Sequence, residues 1–227
     1  SGVLQKINNP ILKERIPASL RDRENYWFGL SQRARTIIYN KVNLDATKLS
    51  TYEDLANPRW KGQLCIRSSD SVYNQSLVAS MIEVNGIEKT ESWARGLVQN
   101  FARPPTGGDT DLLKATAAGQ CTIALANTYY FGRLINSKMS SERKAAQNLA
   151  VFWPNQGSGD RGVHVNVSGA GITKHARNIN EALSLLEFLV TDESQKWYAE
   201  VNNEYPVVEG AKMSKTLESF GSFKADS

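Results

Sequence analysis

Histidine and cysteine are scarce, with two of each in 227 residues. Cys65 and Cys121 lack CxxC spacing, and His164 and His175 lie in no HExxH pattern, which excludes the usual sulfur and imidazole zinc sites. Each histidine is expected to be structural or solvated. No window approaches the ~18 to 20 consecutive apolar residues of a membrane span. The opening residues do not read as a secretory signal, so an exported protein is expected here in mature form or as a fragment. Nucleophile elbow, P-loop, Ser-His-Asp order and paired acidic constellation are all missing, which disfavours an α/β enzyme, the alternative from another functional class. Neither charge sign dominates: 27 Lys and Arg face 23 Asp and Glu, a net of +4. No dense basic stripe with interleaved aromatics occurs, so nucleic acid is not an expected partner. Internal repeats and low-complexity tracts are also lacking.

What is present is an ordinary apolar fraction of 41% and enough length for one large domain or two small ones. A short amphipathic helix centred on residues 10–15 opens the chain, ended by Pro17. Residues 26–30 and 34–40 read as two strands, and 51–62 as a helical turn and loop. Further helices are expected over 74–84, 88–101 and 110–118, with strand-like runs at 63–67 and 121–126. This alternation predicts a mixed α/β sheet. Residues 155–161, rich in Gly, Ser and Asp, mark a boundary or flexible loop. Residues 162–167 alternate with period two, and 168–171 read as the turn that ends them. Amphipathic helices follow over 179–190 and 193–200, and the last dozen residues read as a loosely held tail.

Tyr129 and Tyr130 stand where an apolar run turns into a helix. Residues 121–126 are β-branched and apolar, Asn127 and Thr128 form an N-cap signal, and a helix is expected from Tyr129. Inside a strand, adjacent side chains would point to opposite faces. At a strand-to-helix junction both hydroxyls can aim into one cleft, and the positive first turn of the helix favours phenolate. Open α/β sheets also place ligands beyond the carboxyl ends of their strands. Upstream the arrangement repeats: residues 63–67, then Ser68, Ser69, Asp70 and Ser71 as caps, then Tyr73 at the helix start. Tyrosine rings at core edges with solvated hydroxyls are the ordinary alternative. Cys65 and Cys121 lie in the runs leading to these junctions, where either a disulfide or two buried thiols is compatible with the pattern.

Several phrases extend the reading: Tyr26-Trp27-Phe28-Gly29-Leu30, Arg33-Ala34-Arg35, Tyr52-Glu53-Asp54-Leu55 with Pro58-Arg59-Trp60-Lys61-Gly62, Arg67-Ser68-Ser69 with Val72-Tyr73-Asn74, Asn127-Thr128-Tyr129-Tyr130, and Phe152-Trp153-Pro154-Asn155-Gln156. In this order and across the chain, they resemble the periplasmic ferric-iron-binding proteins of bacterial ABC transporters, especially the cyanobacterial type with several tyrosine ligands. The resemblance implies an α/β fold of the type II periplasmic solute-binding class, with two lobes, hinge strands and a ligand cleft. The expected division is 1–40 with 162–204 as a partial lobe 1, 41–161 as lobe 2, and 205–227 as a C-terminal segment. It implies Fe³⁺ as carried ligand, Tyr73, Tyr129 and Tyr130 as metal ligands, and Arg33 and Arg133 close by. It implies a periplasmic, non-enzymatic monomer that hands iron to an ABC-transporter permease in the inner membrane. Family members carry a further N-terminal segment, often with a His-Tyr pair facing the metal. The first lobe is therefore expected to be incomplete, and the shell to lack a protein ligand. A small organic ligand on the same scaffold is the other reading within binding proteins.

Fe³⁺ is a small hard cation suited to anionic oxygen. A phenol of pKa ~10 loses its proton readily to a trivalent ion, and three phenolates balance its charge. Fe²⁺ pulls less strongly, which makes reduction or acidification a route of release. Arg133 follows Tyr129 and Tyr130 by four and three residues, so it can share their helix face and favour ionised phenols.

Overall fold

The computed structural model describes residues 2–226. Its helices in chain order are α1 (Pro10–Arg15), α2 (Val72–Asn85), α3 (Ile87–Gln99), α4 (Asp109–Ala117), α5 (Thr128–Ile135), α6 (Ser140–Gln147), α7 (Ile179–Leu189), α8 (Asp192–Trp197) and α9 (Lys215–Glu218). The strands are β1 (Phe28–Asn40), β2 (Leu64–Cys65), β3 (Ile123–Asn127), β4 (Leu149–Phe152), β5 (Val165–Ala170) and β6 (Tyr205–Pro206). Among the described residues no helix is long and apolar enough to cross a membrane.

Contacts divide the chain into two compact units. One runs to Arg33 and resumes over Asn166–Gly221; the other covers Ala34–Val165 and the residues from Ser222 on. In the first unit, α1 begins with Pro10, whose missing N–H costs nothing there, and Asn9 caps it by accepting from Leu12 N at 3.0 Å. The core of this unit gathers Leu12, Ile16, Phe28, Leu30, Leu186, Val190 and Val207. Gln32 and Ser31 of β1 pair with Tyr205 and Pro206 of β6, and residues 205–221 belong to this unit.

In the second unit the strand order is β2-β3-β1-β4, with β2 and β3 parallel and β1 antiparallel to β3 and β4. Helices α2 and α3 pack on this sheet through Leu77, Met81, Trp93 and Leu97, against Ile37, Leu64 and Ile123. Gly86, at φ 81°, ends α2 and turns the chain into α3, a backbone conformation that favours glycine. Tyr52 is fully buried; its hydroxyl donates to Arg35 O and accepts from His164 N at 3.0 Å.

Three local expectations change. The two strands expected over 26–30 and 34–40 are one, β1, because Ser31, Gln32 and Arg33 include no Gly, Pro, Asn or Asp and stay extended. The turn expected at 168–171 is largely strand, since β5 runs through Ala170. Gly169 is there for close approach, as a Cβ would come within 3.0 Å of Phe28 O. Cys121 precedes β3, and Cys65 pairs in register with Ala124, so the cysteines are not register partners. They are nonetheless joined, because Thr122 N and Ile123 N both donate to Gln63 O and hold this end of β3 against β2. Closing a loop of 56 residues stabilises the fold by about 4 kcal/mol on the chain-entropy account.

The tail is the third correction. Val163 N donates to Lys224 O at 2.8 Å and Asp226 N to Val163 O at 2.9 Å. The Asp226 carboxylate accepts from Ser80 at 3.0 Å, Arg161 at 3.1 Å and Val165 N at 3.1 Å, and meets His164 Nδ1 at 2.9 Å. Burial pushes the Asp226 pKa up, but the bonds from His164, Val165 and Ser80 outweigh it and hold the carboxyl below its usual range.

Candidate metal centre

The parallel pairing of β2 with β3 sets Leu64 beside Ile123 and Cys65 beside Ala124, so both strands end on the same side of the sheet. Each leads into a helix: β2, through the loop 66–71, into α2, and β3 directly into α5. Ser71 and Asn127 are the N-cap residues. Tyr73 and Tyr129 therefore occupy the same place, second in their helices, with Tyr130 one step further. Both first turns present unsatisfied N–H groups and partial positive charge to the same region.

The phenols converge there. Tyr129 Oη donates to Tyr73 Oη at 3.1 Å, and the Tyr130 hydroxyl is near enough to that of Tyr129 to act on its protonation. The rings of Tyr129 and Tyr130 stand 4.2 Å apart, tilted by 32°. Tyr129 is 6% exposed, while Tyr73 and Tyr130 are half-buried and reach a recess also lined by Arg67, Asp70 and Ser71. Burial, and then the neutral hydroxyls of Tyr130 and Tyr73, push the Tyr129 pKa well above the ordinary phenol value. Without a cation Tyr129 thus holds its proton at neutral pH.

Guanidinium groups surround the rings. Arg133 Cζ lies 4.9 Å from the Tyr129 ring centroid and 5.6 Å from that of Tyr130, and Arg67 Cζ lies 5.5 Å from that of Tyr73. Arg33 belongs to the first unit, where its Nη1 donates to Ser168 Oγ at 2.5 Å.

Beneath the phenols is a buried polar group that sequence reasoning did not single out. Arg35, on β1, ion-pairs with Asp109 at the start of α4 at 3.3 Å, and both side chains are fully buried. Asn74 and Asn127, close to the tyrosines in sequence, also accept from Arg35. The available signal was a charge at a buried position of the apolar run that forms β1.

Among the described residues no group of three or more His, Cys, Asp or Glu could hold a metal ion, which leaves phenol oxygens as the clustered donors. Small hard cations in octahedral shells sit ~2.0 to 2.1 Å from oxygen, which puts neighbouring ligands ~2.9 Å apart. The 3.1 Å between Tyr129 and Tyr73 matches adjacent corners of such a shell.

The fold also aligns Ser76, His164 and Asp226, with His164 Nε2 2.9 Å from Ser76 Oγ and Nδ1 2.9 Å from Asp226. This line has the order of a nucleophilic triad, which was not legible from the sequence. Ser76 lies inside α2, where backbone N–H groups are used by the helix and offer no oxyanion hole. Its evident work is to tie the C-terminal segment to α2 and His164.

Residues 1–224 match the family described as bacterial extracellular solute-binding protein. Iron uptake protein A1 of Synechocystis sp. is 47% identical over 225 residues, 99% of this chain and 62% of that protein. The chain thus spans less than two thirds of that relative's length. A solved structure of Trichodesmium IdiA (FutA) in complex with iron and citrate ligands superposes with a TM-score of 0.95 at 51% identity, over 99% of this chain and 71% of that one. The ferric binding protein from Campylobacter jejuni superposes with a TM-score of 0.94 at 39% identity, over 99% of this chain and 71% of that one.

Proposed function

The chain belongs to the bacterial extracellular solute-binding protein family, and we propose that it carries one ferric ion on the phenolates of Tyr73, Tyr129 and Tyr130 for delivery to an ABC-transporter permease. The observation that carries this reading is the gathering of three phenols around Tyr129, with the Tyr129 and Tyr73 oxygens 3.1 Å apart, where the described residues hold no carboxylate, imidazole or thiol cluster.

Three phenolates supply three negative charges to one Fe³⁺, and a hard trivalent ion prefers anionic oxygen to every other donor type in this chain. A divalent ion would leave the cluster with net negative charge, so Fe²⁺ binds more weakly. The guanidiniums of Arg133 and Arg67 lie over the rings of Tyr129, Tyr130 and Tyr73 and place positive charge beside the phenols. Remaining positions of the shell go to further oxygen donors, such as water or a small anion. The names of similar proteins point the same way: "Fe(3+)-binding periplasmic protein" of Serratia marcescens and the iron-and-citrate complex of Trichodesmium IdiA. The Cys65–Cys121 disulfide fits an oxidising compartment, which supports a periplasmic place of action.

Equilibrium dialysis of the chain against ferric citrate tests this. One ferric ion per chain should be retained, and a Tyr73→Phe/Tyr129→Phe/Tyr130→Phe variant should retain none. Equal retention by the triple variant would refute the proposal.

A further inference from the structure

We propose that Arg35 is the positioning residue of the metal centre: its one buried guanidinium sets the spacing between the two tyrosine-bearing junctions. This inference rests on the ferric reading above and extends it to a residue that supplies no donor to the ion, though its guanidinium lies 6.0 Å from the Tyr73 ring centroid.

The geometry is that of a strut. Arg35 Nη2 donates to Asn74 Oδ1 at 2.6 Å, and Asn74 is the residue after Tyr73. Arg35 Nη1 donates to Asn127 Oδ1 at 3.2 Å, and Asn127 is the N-cap of the helix that carries Tyr129 and Tyr130. Each junction is thus held by a different nitrogen of the same rigid plane. Two further contacts fix that plane: Nη2 donates to Leu125 O at 3.2 Å, and Nη1 pairs with Asp109 Oδ2 at 3.3 Å. Asp109 Oδ2 also accepts from Asn127 N at 2.8 Å, so the ion pair holds the backbone where β3 becomes α5. Asn74 passes the constraint on, because its Nδ2 donates to Arg67 O at 2.7 Å and Ser68 O at 3.1 Å, in the loop that presents Arg67 to the Tyr73 ring.

Stability alone gives no reason for this arrangement. Arg35 and Asp109 are both fully buried, so the pair carries a desolvation cost that apolar residues at both positions would avoid. A buried ion pair is seldom better for stability than apolar residues of the same volume, and the attested use of such pairs is to fix geometry. Lysine could not replace it, since a point charge on a flexible stem cannot hold two acceptors at a fixed separation.

The test measures ferric retention against citrate and the visible phenolate band for wild type, Asn74→Ala, Arg35→Lys, Tyr73→Phe and the Asn74→Ala/Tyr73→Phe double variant. Asn74→Ala keeps the Arg35–Asp109 pair, so it remains informative if Arg35→Lys fails to fold. Ferric affinity should fall about 10- to 100-fold in Asn74→Ala, the range typical for the loss of an outer-shell partner. In that background the further cost of Tyr73→Phe should shrink severalfold, because Tyr73 is already misplaced; a general loss of stability would leave the two effects additive. Additive effects, or an Asn74→Ala protein with wild-type affinity, would overturn the positioning role while leaving ferric binding intact. A wild-type chain with neither band nor retention would overturn the ferric reading and this inference with it.

Discussion

Replacing Tyr129 by phenylalanine should lower ferric affinity about a thousandfold, roughly 4 kcal/mol, and more than either Tyr73→Phe or Tyr130→Phe. Tyr129 is the centre of the cluster: its hydroxyl donates to that of Tyr73, its ring lies against that of Tyr130, and it is the most buried of the three. Losing its phenolate leaves a shell of two anions for a trivalent ion, and the space vacated lies where water enters least easily. At the half-buried Tyr73 and Tyr130 a water or small anion can take the empty corner, so their losses should be smaller. The fold should barely change, since one neutral hydroxyl hydrogen bond is worth about 1 kcal/mol. Competition against citrate measures the affinities, and thermal melting of the metal-free variants checks the fold. A Tyr129→Phe affinity no lower than that of Tyr73→Phe would contradict the assigned geometry.

Acidity should have the second large effect. With its pKa raised by burial and by the neighbouring hydroxyls, the Tyr129 phenol is protonated in the metal-free protein at neutral pH, and ferric binding must displace that proton. If three phenols each lose one, apparent affinity rises by up to about a thousandfold per pH unit below the phenol range of ~10. Uptake of iron should therefore weaken steeply between about pH 7 and 5, once the protonation of the competing chelator is subtracted. Tyr130→Phe should reduce the slope from three protons to two. The sign reverses for the metal-free fold. A raised phenol pKa stabilises the protonated folded state at low and neutral pH, and that contribution is lost as the pH climbs above ~10 toward the folded value. Fully buried Tyr52, also pushed up by burial, adds to the same alkaline loss.

What the sequence made legible was local. Residues 121–135 carry their own instructions: an apolar β-branched run, an N-cap residue and a helix, which the structure realises as β3, Asn127 and α5. The same holds for the β2-to-α2 junction, so the setting of Tyr73 could be read without the fold. The disulfide was legible only as an alternative, since it depends on β2 and β3 being neighbours, which no local pattern states. The support beneath the phenols was hidden for the same reason. Arg35 reaches Asn74, Asp109 and Asn127 across 39, 74 and 92 residues of sequence, and only the sheet order β2-β3-β1 brings them together. The C-terminal residues looked loose because composition cannot show that Asp226 meets His164, 62 residues away.

The most direct test of the ferric centre is the visible spectrum of the chain on addition of ferric citrate. A phenolate-to-iron charge-transfer band should appear and saturate at one ion per chain, and should weaken or shift in each of Tyr73→Phe, Tyr129→Phe and Tyr130→Phe. A wild-type spectrum without the band, or a band unchanged in all three variants, would contradict a ferric ion held by these tyrosines.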